Sequence, residues 1–248
     1  MSSISVVIPS KIVSNLVPCV AALAANEPHA KIIVVDDGLD LSDGEQRTFI
    51  ESHCTIIAGE KPFVFARNVN LGIQAAGADD VVVMNDDALL DTPGGLSMMG
   101  TFAENIPELG IISAACNNVG NVNQHARRQD RLVLRMEPRM VCFVCVFIPR
   151  RTIEAVGLLD QRFIFYGMDD DDYCLRIRKQ GLIIGICDGC VVDHSKLNST
   201  FRGADNGGGR GGDYRPNLKL FIEKWGVDNW GQQKDTSRFP ELFPGVLA

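Results

Sequence analysis

Four aspartates stand in a row at positions 169–172, within YGMDDDDYCLRIRKQG. Carboxylates packed this closely repel one another, so the run is a solvated helix cap, a metal site or a source of base. The residues that follow read as a basic amphipathic helix stopped at Gly181. The N-terminus of a helix, with free N–H groups and the positive end of the dipole, tolerates such acids. Helical phase then separates them, because residues four apart share a face. Asp170 lies with Cys174 and Ile177 on the inward face, while Asp172 pairs with Arg176 as an exposed ion pair. A calcium loop of EF-hand type is excluded, since neither the alternating spacing nor the central glycine is present. The expectation is one inward carboxylate, Asp170, suited to take a proton from a hydroxyl, with its neighbours serving mainly as cap.

Two more acidic clusters end apolar runs. Residues 31–35, KIIVV, lead into Asp36-Asp37-Gly38, and VVVM leads into Asn85-Asp86-Asp87. Asp and Asn are ordinary turn residues at strand ends. The second cluster also suits a hard divalent cation, Mn2+ or Mg2+, which takes oxygen ligands and keeps substrate phosphates in its shell. His194, after CVVD, is either a further ligand or a structural histidine, and the residues alone leave both readings open.

The elements that must position these groups read as α/β. Strands are expected at 4–8, 31–35, 54–58 and 80–85, with helices near 14–25, 42–51 and 65–77. Near-continuous apolar strands separated by helices indicate a mostly parallel sheet covered on both faces, and such sheets bind ligands beyond the carboxyl ends of their strands. Further along, 110–114 and the apolar run 140–148 read as strands, 150–157 as a helix, 182–193 as a strand pair around Asp188-Gly189, and 217–226 as a helix. Between them, 124–139 carries Arg127, Arg128, Arg131, Arg135 and Arg139, either facing an acidic acceptor or forming a solvated face. Residues 198–213, rich in glycine and poor in apolar anchors, read as a loop able to close as a lid.

The formal charge of −7 argues against a nucleic-acid surface or non-specific adhesion to anionic membranes, because phosphate binding draws on Lys and Arg. No apolar run approaches the 18 or so residues of a membrane span, and the first eleven residues lack a signal-peptide core. A cytoplasmic location is expected, and peripheral docking at a membrane needs no span. Eight cysteines include the pairs Cys142–Cys145 and Cys187–Cys190. Positions three apart on a strand face opposite ways, so buried reduced thiols are expected rather than zinc.

Taken in order, these segments resemble the family 2 glycosyltransferases of GT-A fold, in particular a rhamnosyltransferase-like branch. SVVIPS, IIVVDDG, ARNVNLGIQAA, VVVMNDDALL, the block from FIPRR to RIRKQG and KLFIEKWG are similar to successive family elements over roughly residues 3–226. The resemblance implies a single GT-A domain over 1–230: a nucleotide-binding half (1–90), a metal and acceptor half (91–195) and a lid loop (196–214), with 231–248 a tail. It implies an inverting transfer from a UDP-, dTDP- or GDP-sugar to a glycan or lipid-linked acceptor, with Asp170 as general base. Asp37 would meet the donor base beside Asp36 and Pro9, and Arg67 the nucleotide or diphosphate. Asn85 and Asp86 would sit at the donor, Asp87 and His194 at the metal, and Lys196, Arg202 or Arg210 would close over the diphosphate. Asn85 and Asp169 depart from the family pattern, which has acid at the first position and Glu at the second. Two rivals are weighed. A sugar-nucleotide nucleotidyltransferase would show a Gly-rich basic loop where Ile8-Pro9-Ser10-Lys11 has none. A non-catalytic relative would not need both Asp87 and Asp170.

Overall fold

Successive residues of a strand point to opposite faces, and here both sets are apolar. In β1 (Ile4–Ser10), Val6 and Ile8 face one layer of helices and Val7 the other. In β2 (Lys31–Asp36), Ile32 and Val34 oppose Ile33 and Val35. β4 (Asp80–Met84) divides Val82 and Met84 from Val81 and Val83 in the same way. A sheet buried on both faces follows. Helices α1 (Val13–Asn26), α2 (Gly44–His53) and α4 (Gly95–Asn105) cover one side. Helices α3 (Phe65–Ala75), α5 (Arg150–Val156) and α6 (Asp169–Lys179) cover the other. The structure, a computed structural model, describes residues 3–126, 134–137, 139–164, 167–197, 213–229 and 232–233. Arg127, Arg128, Arg131, Arg202, Arg210 and nearly all of 231–248 lie outside the described residues.

The remaining strands of the sheet are β3 (Cys54–Ala58), β5 (Leu89–Leu90), β6 (Leu109–Cys116), β7 (Leu134–Glu137), β8 (Cys145–Ile148) and β9 (Ile183–Asp193). The order is β3-β2-β1-β4-β8-β6-β9-β5, with β7 also paired to β9. Every pair among the first four is parallel, as is β6 with β9, while β8 runs antiparallel to both β4 and β6. Pro9, which has no N–H to give a ladder, sits in β1 past the last β4 pairing, Val7 with Val83.

Two expected boundaries change. The apolar run 140–148 is a strand only over its last four residues. Ahead of them, side chains take the backbone groups a ladder would have used. Asn121 Nδ2 donates to the Met140 carbonyl, Gln124 holds both N–H and C=O of Cys142, and the Val141 N–H reaches Cys174 Sγ. The supposed strand pair at 182–193 is one strand, β9, whose register against β6 shifts between Cys187 and Val191. That bulge absorbs Asp188 and Gly189 without a turn, and Arg135 grips Asp188 through Nε and Nη2 at 2.6 and 2.7 Å. All eight cysteines are free, six of them buried. Burial pushes the thiols of Cys54 and Cys142 up to about 12, leaving them neutral packing groups.

Close packing of α3 on β1 depends on Gly72, where a Cβ would stand 2.1 Å from Val7 Cγ1. Gly72→Ala should therefore lower stability by ~2 kcal/mol, overpacking outweighing the helix propensity alanine adds. Urea unfolding checks this, and an unchanged midpoint would show that α3 shifts freely on the sheet.

Candidate active site

The acidic clusters reach one end of the sheet because β1, β2 and β4 run the same way. At the end of β2, Asp36 accepts from the N–H groups of Gly38 and Leu39, both at 2.7 Å, and so shapes its own turn. Asp37 is 3% exposed and lies 2.5 Å from Lys61 Nζ, whose ammonium also donates to the Asp37 carbonyl. At the end of β4, Asp86 is buried and accepts from Ser10 Oγ at 2.7 Å, tying the tip of β1 to that of β4.

Asp87 and His194 meet. Both are almost fully buried, and Asp87 Oδ1 lies 3.0 Å from His194 Nε2. The other ring nitrogen, Nδ1, is 2.6 Å from the Asn118 carbonyl, which can only accept, so Nδ1 donates. Asn118 Nδ2 in turn donates to the His194 carbonyl, and Asn117 Oδ1 accepts the His194 N–H. Two asparagines after β6 thus lock a histidine after β9. Burial works against a charge on this ring, but the hydrogen bond to Asp87, then Cys116, the charge of Asp87 and the Asn118 carbonyl overcome it. The pKa is raised from the ordinary 6.5 to about 10, and the ring is an imidazolium against a carboxylate.

The donor set fits a divalent cation. A carboxylate oxygen and an imidazole nitrogen converge, and the Asn118 bond aims the Nε2 lone pair at Asp87 once the proton leaves. Among the described residues no group of three or more His, Cys, Asp or Glu has a metal-holding arrangement.

Helix α6 opens beside this end. The Phe143 backbone lies close enough to Asp170 to act on its charge, and the next carbonyl, of Val144, accepts the Asn85 N–H at 2.9 Å. Burial raises both Asp169 and Asp170 above the ordinary carboxylate range, with the charge of Asp170 adding to the rise at Asp169. The division of labour differs from that expected by phase. Asp170 is half-buried, whereas Asp169 and Asp172 are buried. The Asp172–Arg176 pair exists at 2.9 Å, but it is not exposed: Asp172 is 0% accessible, because α7 (Arg215–Trp225) covers it. Among the other expected site residues, Arg67 approaches Glu60 at 3.4 Å and Lys196 pairs with Asp193 at 3.0 Å. Sequence reasoning passed over Ser10, Lys61, Asn117 and Asn118. The asparagines carry the signal used for Asn85, a polar pair ending an apolar strand.

The pattern has known counterparts. The family model described as Glycosyl transferase family 2 matches residues 5–150. An "Uncharacterized protein y4gI" of Sinorhizobium fredii (strain NBRC 101917 / NGR234) is 25% identical over 177 residues, covering 61% of this chain and 19% of that protein. The crystal structure of GalNAc-T7 with UDP, GalNAc and Mn2+ superposes with a TM-score of 0.71 at 14% identity, covering 91% of this chain and 48% of that one. Mannosyltransferase PcManGT from Pyrobaculum calidifontis, in complex with GDP-Man and Mn2+, gives 0.58 at 15%, covering 81% and 59%. At these identities the likeness is one of fold, GT-A, and the chain spans less than two thirds of each of these relatives. No helix among the described residues is long and apolar enough to cross a membrane.

The raised pKa of His194 has a sign. Its stabilising contribution is fully present below about pH 6.5 and is lost as pH rises through about 10. In metal-free buffer the urea midpoint of the wild type should fall over that window relative to His194→Gln. Parallel curves would mean that the imidazolium does not hold Asp87.

Proposed function

We propose that this chain, which belongs to glycosyl transferase family 2, moves a sugar from a nucleoside diphosphate sugar to an acceptor hydroxyl with inversion. The observation that carries the reading is the buried Asp87–His194 contact, 3.0 Å long, at the carboxyl end of a sheet where nucleotide-binding folds take their ligands. Asp170 removes the acceptor proton as the hydroxyl oxygen bonds to the anomeric carbon. The carbon–oxygen bond to the diphosphate breaks on the opposite face, and its electron pair leaves with the nucleoside diphosphate. A base whose pKa burial raises above the ordinary carboxylate range suits that task. Asp87 and His194 would hold Mn2+ or Mg2+, which neutralises charge on the diphosphate when bound.

The donor base meets the Asp37–Lys61 pair rather than a bare carboxylate. Asp36 keeps its turn in place for that contact, and Pro9, near the end of β1, is assigned to the same donor side. Asn85, Asp86 and Arg67 line the donor side on this reading, and Lys196 belongs to the segment that closes over the diphosphate. Arg202 and Arg210, assigned to the same closure, lie outside the described residues. The rhamnosyl-type donor suggested by resemblance enters as one arm of the test.

Release of nucleoside diphosphate from UDP-glucose, UDP-N-acetylgalactosamine, GDP-mannose and dTDP-rhamnose with Mn2+ tests the reading. One donor should be hydrolysed slowly and the rate lost on chelation. Asp170→Asn should lower turnover by ~10²–10⁴-fold with nucleotide binding intact, whereas Asp87→Ala should abolish the metal dependence of binding. Turnover of Asp170→Asn at the wild-type rate would remove the base assignment.

Because a cation must displace the His194 proton, Mn2+ should bind more tightly as pH rises from 6 to 9. Calorimetry in two buffers of different ionisation heat should show about one proton released. Affinity independent of pH would place the cation elsewhere.

A further inference from the structure

The first turn of α6 is gripped from both sides by α7. Before the acidic pair, Gly167 and Met168 take φ of 79° and 69°. Left-handed backbone is ordinary for glycine and unfavourable for methionine. Two contacts from α7 hold this turn. Asn217, buried in α7, donates through Nδ2 to the Gly167 carbonyl at 2.7 Å, and the Met168 side chain packs on the apolar cluster of Phe163, Leu175, Phe221 and Trp225. After the acidic pair, Asp172 Oδ1 accepts from Trp225 Nε1 at 2.8 Å and from Lys224 Nζ at 2.6 Å. Lys224 reaches on to Asp160 at 2.8 Å. Asp169, Asp170 and Asp171 are the three positions between these grips.

We infer that α7 is a positioning clamp for the Asp169–Asp170 pair, with Trp225 and Asn217 as positioning residues that act on turnover through Asp170. The inference rests on the proposed role of Asp170 as base. Its physical content is that a strained turn and a buried carboxylate are both held by one helix, so loosening either contact turns the first helical turn and moves the base. The clamp residues are far along the chain from the turn they hold, and all lie beyond the residues matched by the family model, 5–150. The indole N–H rather than the ring is the decisive group at Trp225, because it alone reaches the carboxylate.

The experiment is a double-mutant cycle with UDP-glucose, UDP-N-acetylgalactosamine, GDP-mannose and dTDP-rhamnose, read as nucleoside diphosphate release. Trp225→Phe keeps the ring and removes the N–H. Its kcat should fall by ~10–100-fold, the usual effect of sub-ångström to ångström misplacement, with the KM for donor changed less than about twofold. In the Asp170→Asn background the same substitution should change nothing further. Asn217→Ala, which leaves Asp172 untouched, should behave alike and carries the test if Trp225→Phe fails to fold. Independently of turnover, either variant should speed amide hydrogen exchange at Asp169–Asp172 while leaving unchanged the N–H groups of Asn85 and His194, which are bonded to the Val144 carbonyl and to Asn117 Oδ1. Equal losses with and without Asp170, a rise in KM alone, or unchanged exchange would each overturn the clamp. Asp170→Asn at the wild-type rate would overturn the base reading and the clamp with it. A slow Asp170→Asn beside a fully active Trp225→Phe would overturn the clamp alone.

Discussion

A carboxylate taken out of water must be given back its hydrogen bonds by the protein, and this chain buries several of them at one end of one sheet. Each finds its counterpart on a different segment. Asp86 takes the Ser10 hydroxyl, Asp87 the His194 ring, Asp37 the Lys61 ammonium, and Asp172 the side chains of Arg176, Lys224 and Trp225. These contacts join β1 to β4, β4 to the end of β9, and α6 to α7. The acids that mark the site are therefore also what ties its walls together. Asp169 and Asp170 are the exception. They meet backbone N–H groups and each other, and the cost appears as raised proton affinity rather than as an ion pair. A pair whose neutralisation is left to a proton is where proton transfer is most naturally placed.

How much of this was legible differs by kind of signal. The first half was readable nearly residue by residue, because apolar strands and amphipathic helices alternate there and polar clusters follow β2 and β4. The observed strand Cys54–Ala58 coincides with the expected one, and Ile4–Ser10 and Lys31–Asp36 extend theirs by only one or two residues. The second half was harder for a physical reason. Residues 140–144 have strand composition, but Asn121 and Gln124 compete for their backbone groups, and those partners sit some 18 positions earlier. β9 looked broken because its bulge places Asp188 and Gly189 where a turn would have been. Burial of Asp172 was invisible in local phase. Helical periodicity assigns a face, but whether that face meets solvent depends on an element more than forty residues away, and Asp172 of α6 is covered by α7.

The same distinction applies to the site. Asp87 and His194 were each identifiable by residue type and place after a strand. Their meeting was not, since it depends on β5 pairing with β9 at Leu89 and Asp193, which brings the residues on either side of that ladder together. Asn117 and Asn118 make the arrangement specific. Without the Asn118 carbonyl, either ring nitrogen of His194 could carry the proton. With it, Nε2 is the only atom whose occupant can change.

On the proposed reading, that single atom links three ligands. Two protein groups cannot fill the shell of a hard dication, so diphosphate oxygens and water would have to complete it. Cation and donor then strengthen one another by the same factor, because the coupling free energy is shared between their sites. When both depart, Asp87 would stand buried and uncompensated, and the proton on His194 prevents this by restoring the charge balance at the same position. On that reading a proton would neutralise Asp87 before the cation binds and the cation would do so afterwards, at the same position.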